Sequence, residues 1–572
     1  MSSSRSKPQT AMEVEHTTPV LIPTRLVHMG ERSVEESDKN DLITMELDAD
    51  EEQLFDTLYK VAKALENQEL SIESRPHVRS VQIRVAGGWV RDKILGLQTH
   101  DVDIAMDTCT GVEFATLVKS YMELHSDEHP KIGVIAANPS QSKHLETATM
   151  RIHGMDVDFS NLRHEQYQDD SRIPTTIIGT PLEDAYRRDF TMNSLYYNLQ
   201  TKQIEDWTHQ AIRDLRQGLV ATPLEAYQTF HDDPLRVLRA IRFAVRYDMT
   251  MDQDLQTACR NPQIHNELHR KVSRERVGKE LEGMLSGKGA RPKVALETIL
   301  QLKLAGSVFC LPSECHGSIG LAQPLPYEGE SEHLADLRQV AWQEAGDCLS
   351  FVPEILKHLK LHADGTQDDA RMTYVAVFAL PFFKLAYKQK NKVKLVAEYM
   401  SREGIKFKNK DTQAMTTLME RVEEMVCLLD TNIDLEKNRK QLRLDAGLIL
   451  RATKGLWVTA LVLGTVVLLR RHPEQNIDWY QRAQEWYQTI RDMNLDRCWE
   501  TTPLLNGKAI IQALALERGP HVGFYTNEEV KFSLMYPEGT PDECLVHLKA
   551  VKKEQDRDED AAARHINKKM HL

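Results

Sequence analysis

Two aspartates stand one residue apart in the run DVDIAM, residues 101–106. The apolar residues around them are typical of a β-strand, in which alternate side chains point to the same face. Asp101 and Asp103 are therefore expected to present two carboxylates side by side. Such a pair suits Mg²⁺, which binds carboxylates together with substrate phosphates. A polar edge strand has the same pattern, so neighbouring residues must decide between the two.

A glycine pair precedes these acids in the run GGWVRD, residues 87–92. At Gly87 and Gly88 the backbone N–H groups are able to approach a phosphate group. The guanidinium of Arg91 adds a charged donor whose shape matches phosphate. A glycine pair alone indicates only a tight turn. Together with the arginine and the Asp-x-Asp strand, it indicates a site for phosphate and metal.

A third acid, Asp158, lies in the run VDFSNLR on the same strand face as Asp156. Its carboxylate could complete the metal site or orient an attacking hydroxyl group. The alternative is a salt bridge with Arg163 at the end of the strand.

The run EDAYRRDFTMNSLYYN, residues 183–198, contains two adjacent arginines. Arg187 and Arg188 should point in different directions on a helix, so at most one is expected to be a surface charge paired with Asp184. The residues after Asp189 predict a helix. Its expected core contains Leu195, Tyr196 and Leu199.

The run TFHDDPLRVLRAIRFAVR, residues 229–246, predicts another helix, with Asp232 and Pro234 at its start. Asp233 and Arg236 are three residues apart and therefore neighbours on one helical face. Together with Arg236, the later arginines form a stripe about 120° wide that could bind a triphosphate or be a solvated basic face. Its members are Arg236, Arg239, Arg242 and Arg246.

Asp233 and Arg236 together could distinguish nucleobases. An ionised Asp only accepts hydrogen bonds, and an Arg only donates them. Cytosine and adenine both offer an amine donor beside a ring-nitrogen acceptor, whereas uracil and guanine offer the inverse. Each buried bond left unmade costs about 1–3 kcal/mol. The pair could thus select C and A without a nucleic-acid template.

The elements that must position these residues change in character near residue 200. Strand patterns at 81–86, 101–106, 131–136 and 148–163 alternate with helical ones, which indicates an α/β module. Beyond it, helical periodicity continues to the C-terminus. The run 455–469 is apolar, but its 15 residues are fewer than the roughly 20 that span a bilayer, so it predicts a buried helix.

Composition limits the class of protein. A length of 572 residues indicates three or four domains. Because the net charge is −13, a nucleic-acid surface must be a local basic patch. One such patch is residues 232–293, where 13 Lys and Arg stand against nine acids. The eight cysteines form no CxxC motif and indicate reduced thiols of an intracellular protein.

These motifs together resemble the class II tRNA nucleotidyltransferases, the CCA-adding enzymes, most closely those of fungi. The likeness rests on GGWVRDKILGLQTHDVDIA, RRDFTMN, DDPLRVLRAIRFA and RERVGKEL, which occur in the order typical of that family. It covers about residues 80–290 and returns near 500–550. The resemblance implies an α+β N-terminal palm of the polymerase-β type, followed by an all-α neck, body and tail.

The resemblance also implies an activity and a set of site residues. The activity is addition of C, C and A to the tRNA 3′ end from CTP and ATP, with two Mg²⁺ ions and release of pyrophosphate. Asp101 and Asp103 would hold the metal, and Asp158 is counted as a third catalytic acid. The expected nucleotide-binding residues are Gly87, Gly88, Arg91, Arg188, Asp189, Asn193, Asp233, Arg236, Arg239 and Arg242.

The predicted domains are a disordered segment (1–45), a head (46–205), a neck (206–310), a body (311–450) and a tRNA-contacting tail (451–572). A cytoplasmic and nuclear monomer without membrane association is expected. Residues 1–12 carry Arg5, Lys7 and no acid, weakly like a mitochondrial presequence, and Met12 could be an internal start.

Two other functions stay open. The first is a partial enzyme of the same fold, which adds only CC or only A, or a poly(A) polymerase. The polar run 135–149 is suited to the mobile loop linked to A addition and favours the full activity. The second is a catalytically silent RNA-binding protein, against which the intact acids and arginines argue.

Overall fold

In the computed structural model the described residues are 17–28, 43–135, 146–168, 171–315, 331–361 and 367–570. They form two compact units, Met1–Met284 and Leu285–Leu572. The boundary between the units falls within the predicted neck, and the individual domain limits stay predictions. The polar loop predicted to assist A addition lies largely outside the described residues, as does the basic N-terminal segment.

The first unit holds thirteen described strands. They are β1 (Val20–His28), β2 (Ile43–Leu47), β3 (Ile83–Ala86), β4 (Val102–Met106), β5 (Ile132–Ile135), β6 (Thr147–Ile152), β7 (Met155–Asn161), β8 (Arg163–Gln168), β9 (Ser171–Ile178), β10 (Leu195–Asn198), β11 (Gln203–Asp206), β12 (Leu219–Val220) and β13 (Thr250–Met251). Nine of these strands form one sheet in the order β2-β1-β11-β10-β3-β4-β7-β6-β5.

Its helices are α1 (Ala49–Glu66), α2 (Gly88–Ile94), α3 (Gly111–His125), α4 (Pro181–Tyr186), α5 (Ala211–Arg216), α6 (Ala226–Asp232), α7 (Arg236–Tyr247), α8 (Gln253–Cys259), α9 (Pro262–Lys271) and α10 (Arg274–Leu285). Helices α1 and α3 pack against the sheet. Each of these two helices begins with a capping box, at Asp48 and Thr110 respectively. This architecture confirms the predicted mixed head followed by a helical remainder.

Two predictions about the first unit are wrong. The segment 1–45 was expected to be disordered, but Val20–His28 is a strand that pairs with both β2 and β11. The apolar residues of this strand gain sheet partners that lie far away in sequence. The helix expected after Asp189 is instead a short 3-10 turn followed by β10. The apolar residues Leu195 and Tyr196 are buried, as expected, but in the centre of the sheet.

The second unit is mostly helical. Its elements are α11 (Pro292–Gln301), α12 (Ala305–Phe309), α13 (Ser331–His358), α14 (Gln367–Ala379), β14 (Ala386–Gln389), β15 (Lys392–Leu395), α15 (Val396–Tyr399), α16 (Asn409–Glu420), α17 (Val422–Asp430), α18 (Arg439–Thr453), α19 (Trp457–Arg471), α20 (Asn476–Asp492), α21 (Gly507–Leu514), α22 (Pro520–Met535) and α23 (Pro541–Met570). The β14–β15 hairpin had no counterpart in the sequence prediction.

Residues 457–469 of the apolar run lie in α19, as predicted, whereas Gly455 and Leu456 belong to the 3-10 turn before it. Helices α18 and α19 together form a stretch, Arg439–Arg471, that is long and apolar enough to cross a membrane. However, 72% of its most apolar window is buried within the protein. Gly464 lets α19 approach α17 closely, because a Cβ there would lie 2.7 Å from Met425 Cγ. Such packing is that of a core helix.

Candidate active site

Three carboxylates come together on two adjacent strands. Asp101 immediately precedes β4, Asp103 lies within β4, and Asp158 stands opposite Asp103 in the parallel pairing of β4 with β7. The Asp103 side chain is exposed, yet desolvation by the neighbouring groups and the charge of Asp101 raise its pKa to about 6. The pKa of Asp158 is also raised, by desolvation and then by Asp101 and Asp156. The charge of Asp101 contributes to both shifts.

The salt bridge that was the alternative role of Asp158 is not formed in the described structure. Arg163 instead directs its Nη2 toward Thr147 Oγ1, at 3.5 Å, on β6. Among the described residues, no three His, Cys, Asp or Glu side chains are arranged to enclose a metal ion. An open pair of mutually repelling carboxylates fits Mg²⁺, which retains water and binds phosphate oxygens.

The glycine turn between β3 and α2 is built against an arginine. Gly87 has a φ of 61°, in the left-handed region that favours glycine. A Cβ at Gly87 would lie 2.7 Å from Arg188 Nη1 and 3.0 Å from the carbonyl oxygen of Asn193. Gly88 begins α2, with Arg91 Nη2 3.7 Å from where its Cβ would stand. The turn therefore leaves room for Arg188 rather than merely reversing the chain.

Arg91 and Asn193 form a buried link behind the arginine-rich surface. Arg91 pairs with Asp92 at 2.8 Å and donates to Asn193 Oδ1. Asn193 Nδ2 donates to Asp189 Oδ1 at 2.9 Å. Tyr247 lies against the Arg91 guanidinium, 4.7 Å from it to the ring centroid. Arg91 and Asn193 are therefore placed to orient the Asp189 carboxylate. Their contact with a nucleotide stays a prediction.

Asp184 organises the two adjacent arginines. Only 1% of its side chain is exposed, and both arginines pair with it: Arg187 with Oδ1 at 2.6 Å and Arg188 with Oδ2 at 2.9 Å. Tyr196 Oη and the backbone N–H of Arg163 also donate to this carboxylate. Burial opposes its ionisation, but the two arginines outweigh burial and hold the pKa of Asp184 far below its usual value. Both arginines thus pair with Asp184, and neither is a plain surface charge, since only 20% of each side chain is exposed.

These arginines open onto a cavity of about 730 Å³. Most of the predicted nucleotide-binding side chains line it, with seven cationic and three acidic residues in all. The lining residues are Arg187, Arg188, Asp189, Asp233, Leu235, Arg236, Arg239, Arg242, Arg276, Lys279, Glu280 and Gly283. Arg246, part of the predicted stripe, is not among them; its guanidinium lies over the ring of Tyr247 and its side chain is exposed.

Acids hold the arginines of the cavity. Arg188, which lines the cavity, opposes the rise in the pKa of Asp103, although Asp101, Asp103 and Asp158 are not among the lining residues. Arg239 Nε donates to Asp189 Oδ2 at 2.7 Å, and Arg242 Nε donates to Glu280 at 2.7 Å. Burial alone would raise the pKa of Asp189, but Arg239 and Asn193 bring it to about 2. Asp189 and Glu280 thus hold the guanidinium groups of Arg239 and Arg242 through their Nε atoms.

Asp233 and Arg236 both face the cavity, but the predicted capping scheme is wrong. Asp232 is the last residue of α6, and α7 begins only at Arg236. The proline interrupts the helix after Asp232 because it lacks an N–H group. Asp233 Oδ1 instead accepts from Leu235 N at 3.3 Å, and the Asp233 carbonyl accepts from Arg236 N at 3.0 Å. The two residues are joined by this turn rather than by a helical face.

Three charged residues that line the cavity were not singled out from the sequence. They are Arg276, Lys279 and Glu280, all on α10. Arg276 Nη2 donates to Asp233 Oδ2 at 3.1 Å, and Glu280 pairs with Arg242. Their i, i+3, i+4 spacing within RERVGKEL places them on one helical face. That spacing is the signal that could have identified them.

Comparison with known proteins shows similarity along most of the chain. The family model described as the poly A polymerase head domain matches residues 83–221. A Saccharomyces cerevisiae protein named CCA tRNA nucleotidyltransferase, mitochondrial, is 34% identical over 494 residues, covering 82% of this chain and 88% of that protein. The tRNA nucleotidyltransferase cca1 of Schizosaccharomyces pombe is 31% identical over 514 residues, covering 88% and 96%. The chain belongs to the tRNA nucleotidyltransferase family.

Solved structures of the family share the fold. An apo CCA-adding enzyme superposes with a TM-score of 0.56 at 16% identity, covering 87% of this chain and 96% of that one. The Thermotoga maritima CCA-adding enzyme in complex with tRNA gives a TM-score of 0.54 at 17% identity, covering 88% and 96%. The family assignment and the predicted polymerase-like head with a helical remainder are both confirmed.

Proposed function

We propose that the protein adds C, C and A to the 3′ end of tRNA from CTP and ATP, with release of pyrophosphate. The observation that carries this proposal is the position of Asp233 and Arg236 on the wall of an arginine-lined cavity, in the same unit as the carboxylates of Asp101, Asp103 and Asp158. The printed names of its relatives, which describe tRNA nucleotidyltransferases, support the substrate. A CCA-adding enzyme has also been solved in complex with ATP, and another structure in complex with CTP.

Nucleotide selection belongs to Asp233 and Arg236. Each side chain is anchored at one edge: Asp233 by Arg276, and Arg236 by donation of its Nη2 to the carbonyl oxygen of Arg187 at 2.7 Å. The remaining acceptor sites of Asp233 and donors of Arg236 are left for a base. Because C and A share a donor beside an acceptor, one arrangement serves both nucleotides. Anchoring matters because a mobile pair would adapt to U and G.

The arginines of the cavity bind the triphosphate. Arg188, Arg239 and Arg242 are held by acids through part of each guanidinium, so their other N–H donors are oriented before the nucleotide enters. Such preorganised charge stabilises the leaving pyrophosphate at no cost of reorganisation. The 3′-hydroxyl oxygen of tRNA bonds to the α-phosphorus as the bond from that phosphorus to the pyrophosphate breaks.

The carboxylates Asp101 and Asp103 would hold the catalytic cation. Bound Mg²⁺, two ions by the resemblance to the family, would supply charge neutralisation and activation of the attacking hydroxyl. Asp158 completes this group or orients the hydroxyl. Its position opposite Asp103 suits either role.

Incorporation of each nucleotide tests the proposal. Given tRNA without its 3′ end, the protein should incorporate CTP and then ATP, and Asp101→Ala should abolish both. Asp233→Ala and Arg236→Ala should raise UTP and GTP incorporation relative to CTP by about 5- to 150-fold, from the about 1–3 kcal/mol of each unmade bond. Arg246→Ala, on the same helix but outside the cavity, is the matched control. Lower stability with unchanged selectivity would contradict the assignment.

The same assay separates the full activity from a partial one. The full enzyme converts tRNA lacking its 3′ end to the CCA form, and A follows only after CC. Addition that stops after CC, or that occurs only on tRNA already ending in CC, would identify a partial enzyme. RNA binding with no incorporation would identify the silent protein.

We also propose a monomer with cytoplasmic, nuclear and mitochondrial forms. The basic residues of the N-terminal segment and the relative named as mitochondrial support the mitochondrial form. Fusion of a fluorescent protein to the chain started at Met1 or at Met12 tests it. Mitochondrial signal from the longer form only is the expected result.

A further inference from the structure

The β14–β15 hairpin of the second unit concentrates positive charge. Its strands pair antiparallel, with Lys388 opposite Val393 and Gln389 opposite Lys392, and Lys390 lies in the two-residue turn. Segment 384–410 contains nine Lys and Arg and two acids, a net charge of +7 in a chain of −13. The net charge of this segment is therefore opposite in sign to that of the whole protein.

The two acids of this segment do not pair with the lysines at the hairpin turn. Glu398 pairs with Lys394 and Arg402, and Glu403 pairs with Lys406. Five exposed lysines have no ion-pair partner among the residues that the structure describes. They are Lys388, Lys390, Lys392, Lys408 and Lys410.

The positions of these lysines are unfavourable for the fold itself. Lys390 has a φ of 55°, a left-handed conformation that glycine adopts at lower cost. Lys408 is the N-cap of α16 and Lys410 lies in its first turn, where the helix dipole disfavours cations. Val393 is 76% exposed between the lysines. Lysines on exposed strands also keep edges from pairing with other chains, but that role explains neither the turn nor the helix start.

We propose that this basic hairpin, Lys388 to Lys392, binds the phosphate backbone of tRNA outside the active site. The inference rests on the proposed function, which makes an RNA the substrate. A polyanion supplies the charges that the protein itself does not place opposite these lysines. Because RNA phosphates repeat along the backbone, several lysines engage at once and release counterions.

A charge-removal variant tests the hairpin. Lys388→Gln, Lys390→Gln and Lys392→Gln combined should weaken tRNA binding about tenfold at physiological salt and reduce the slope of log Kd against log salt by about 2–3. The KM for tRNA should rise in parallel, without a rise in the KM for CTP. The control combines Lys303→Gln, Lys360→Gln and Lys437→Gln, three exposed lysines elsewhere in the same unit. Thermal unfolding verifies that both triple variants are folded.

The outcomes separate this inference from the function on which it rests. Unchanged tRNA affinity and salt slope in the hairpin variant, with normal CTP incorporation, would overturn the inference alone. Aggregation of that variant with unchanged tRNA binding would assign the lysines to edge protection and overturn it too. Loss of binding only to phosphatidylserine vesicles would assign the surface to membranes instead of RNA. If the wild-type protein incorporates no CTP, the proposed function fails, whereas the salt slope of tRNA binding still tests the hairpin.

Discussion

Asp184 shows how one buried residue can control a charged cavity. Asp184 is not among the residues that line the cavity, yet it pairs with Arg187 and Arg188, which both line it. A carboxylate can accept from both guanidiniums because each of its oxygens has two acceptor sites. Without that carboxylate, two cations would stand side by side in a buried environment and repel each other.

Asp184→Asn should therefore impair nucleotide binding. The amide offers a donor where one arginine or Tyr196 needs an acceptor, and hydrogen bonds to charged groups contribute about 1.5–3 kcal/mol each. We expect kcat/KM for CTP to fall by about 10- to 150-fold, mainly through KM, with the KM for tRNA nearly unchanged. Steady-state kinetics with each substrate varied separately measure this split.

Tyr196→Phe provides the comparison, since it removes one donor to the same carboxylate and one acceptor of Arg188 Nε but leaves both arginines paired with Asp184. A smaller effect, below about tenfold, is expected because the carboxylate keeps its charge and both arginine partners. A folded Asp184→Asn protein with a wild-type KM for CTP would refute the positioning role.

At the scale of elements, the turn from β3 into α2 has to pass Arg188 closely. Gly87→Ala should strain the backbone by about 1–2 kcal/mol and also push Arg188 out of position. We expect at least a tenfold loss of CTP incorporation. Gly96→Ala, at the other end of α2, is the matched control: Gly96 has a φ of 69°, but no atom lies within 4 Å of its would-be Cβ. It should lower the melting temperature similarly and leave incorporation intact.

Comparison of the two glycine variants isolates the contact with Arg188 from backbone strain. Equal loss of incorporation in both would mean that strain in α2, rather than the arginine, limits activity. Melting temperatures measured with and without CTP add a second readout, since only Gly87→Ala should reduce stabilisation by the nucleotide.

At the scale of the whole molecule, the length and composition of the apolar stretch Arg439–Arg471 fit either a core element or a membrane span. Most of its apolar window is buried in the second unit, and Val466 and Leu463 are fully inaccessible. The full chain purified without detergent should therefore stay unbound in flotation with neutral phosphatidylcholine vesicles. Flotation of the wild-type protein with these vesicles would contradict the core assignment.

Much of the first unit was predictable because its strands and helices have strong local patterns. The observed β4 differs from its predicted range, 101–106, by one residue. Predictions failed where distant partners override local preference. Leu195–Asn198 looked helical but lies between β3 and β11, and Val20–His28 is ordered through pairing with β2 and β11. The hairpin β14–β15 was missed because its strands are only four residues long and rich in lysine.

By itself, the sequence determined the family, the mixed head and most of the charged residues of the site, because these depend on residue types at short spacings. Only the tertiary structure decided how those charges are paired. That Arg276 anchors Asp233, that Arg239 pairs with Asp189, and that Arg246 lies outside the cavity depends on elements distant in the chain. The fold brings the partners of these long-range ion pairs together, and spacing along the chain does not specify them.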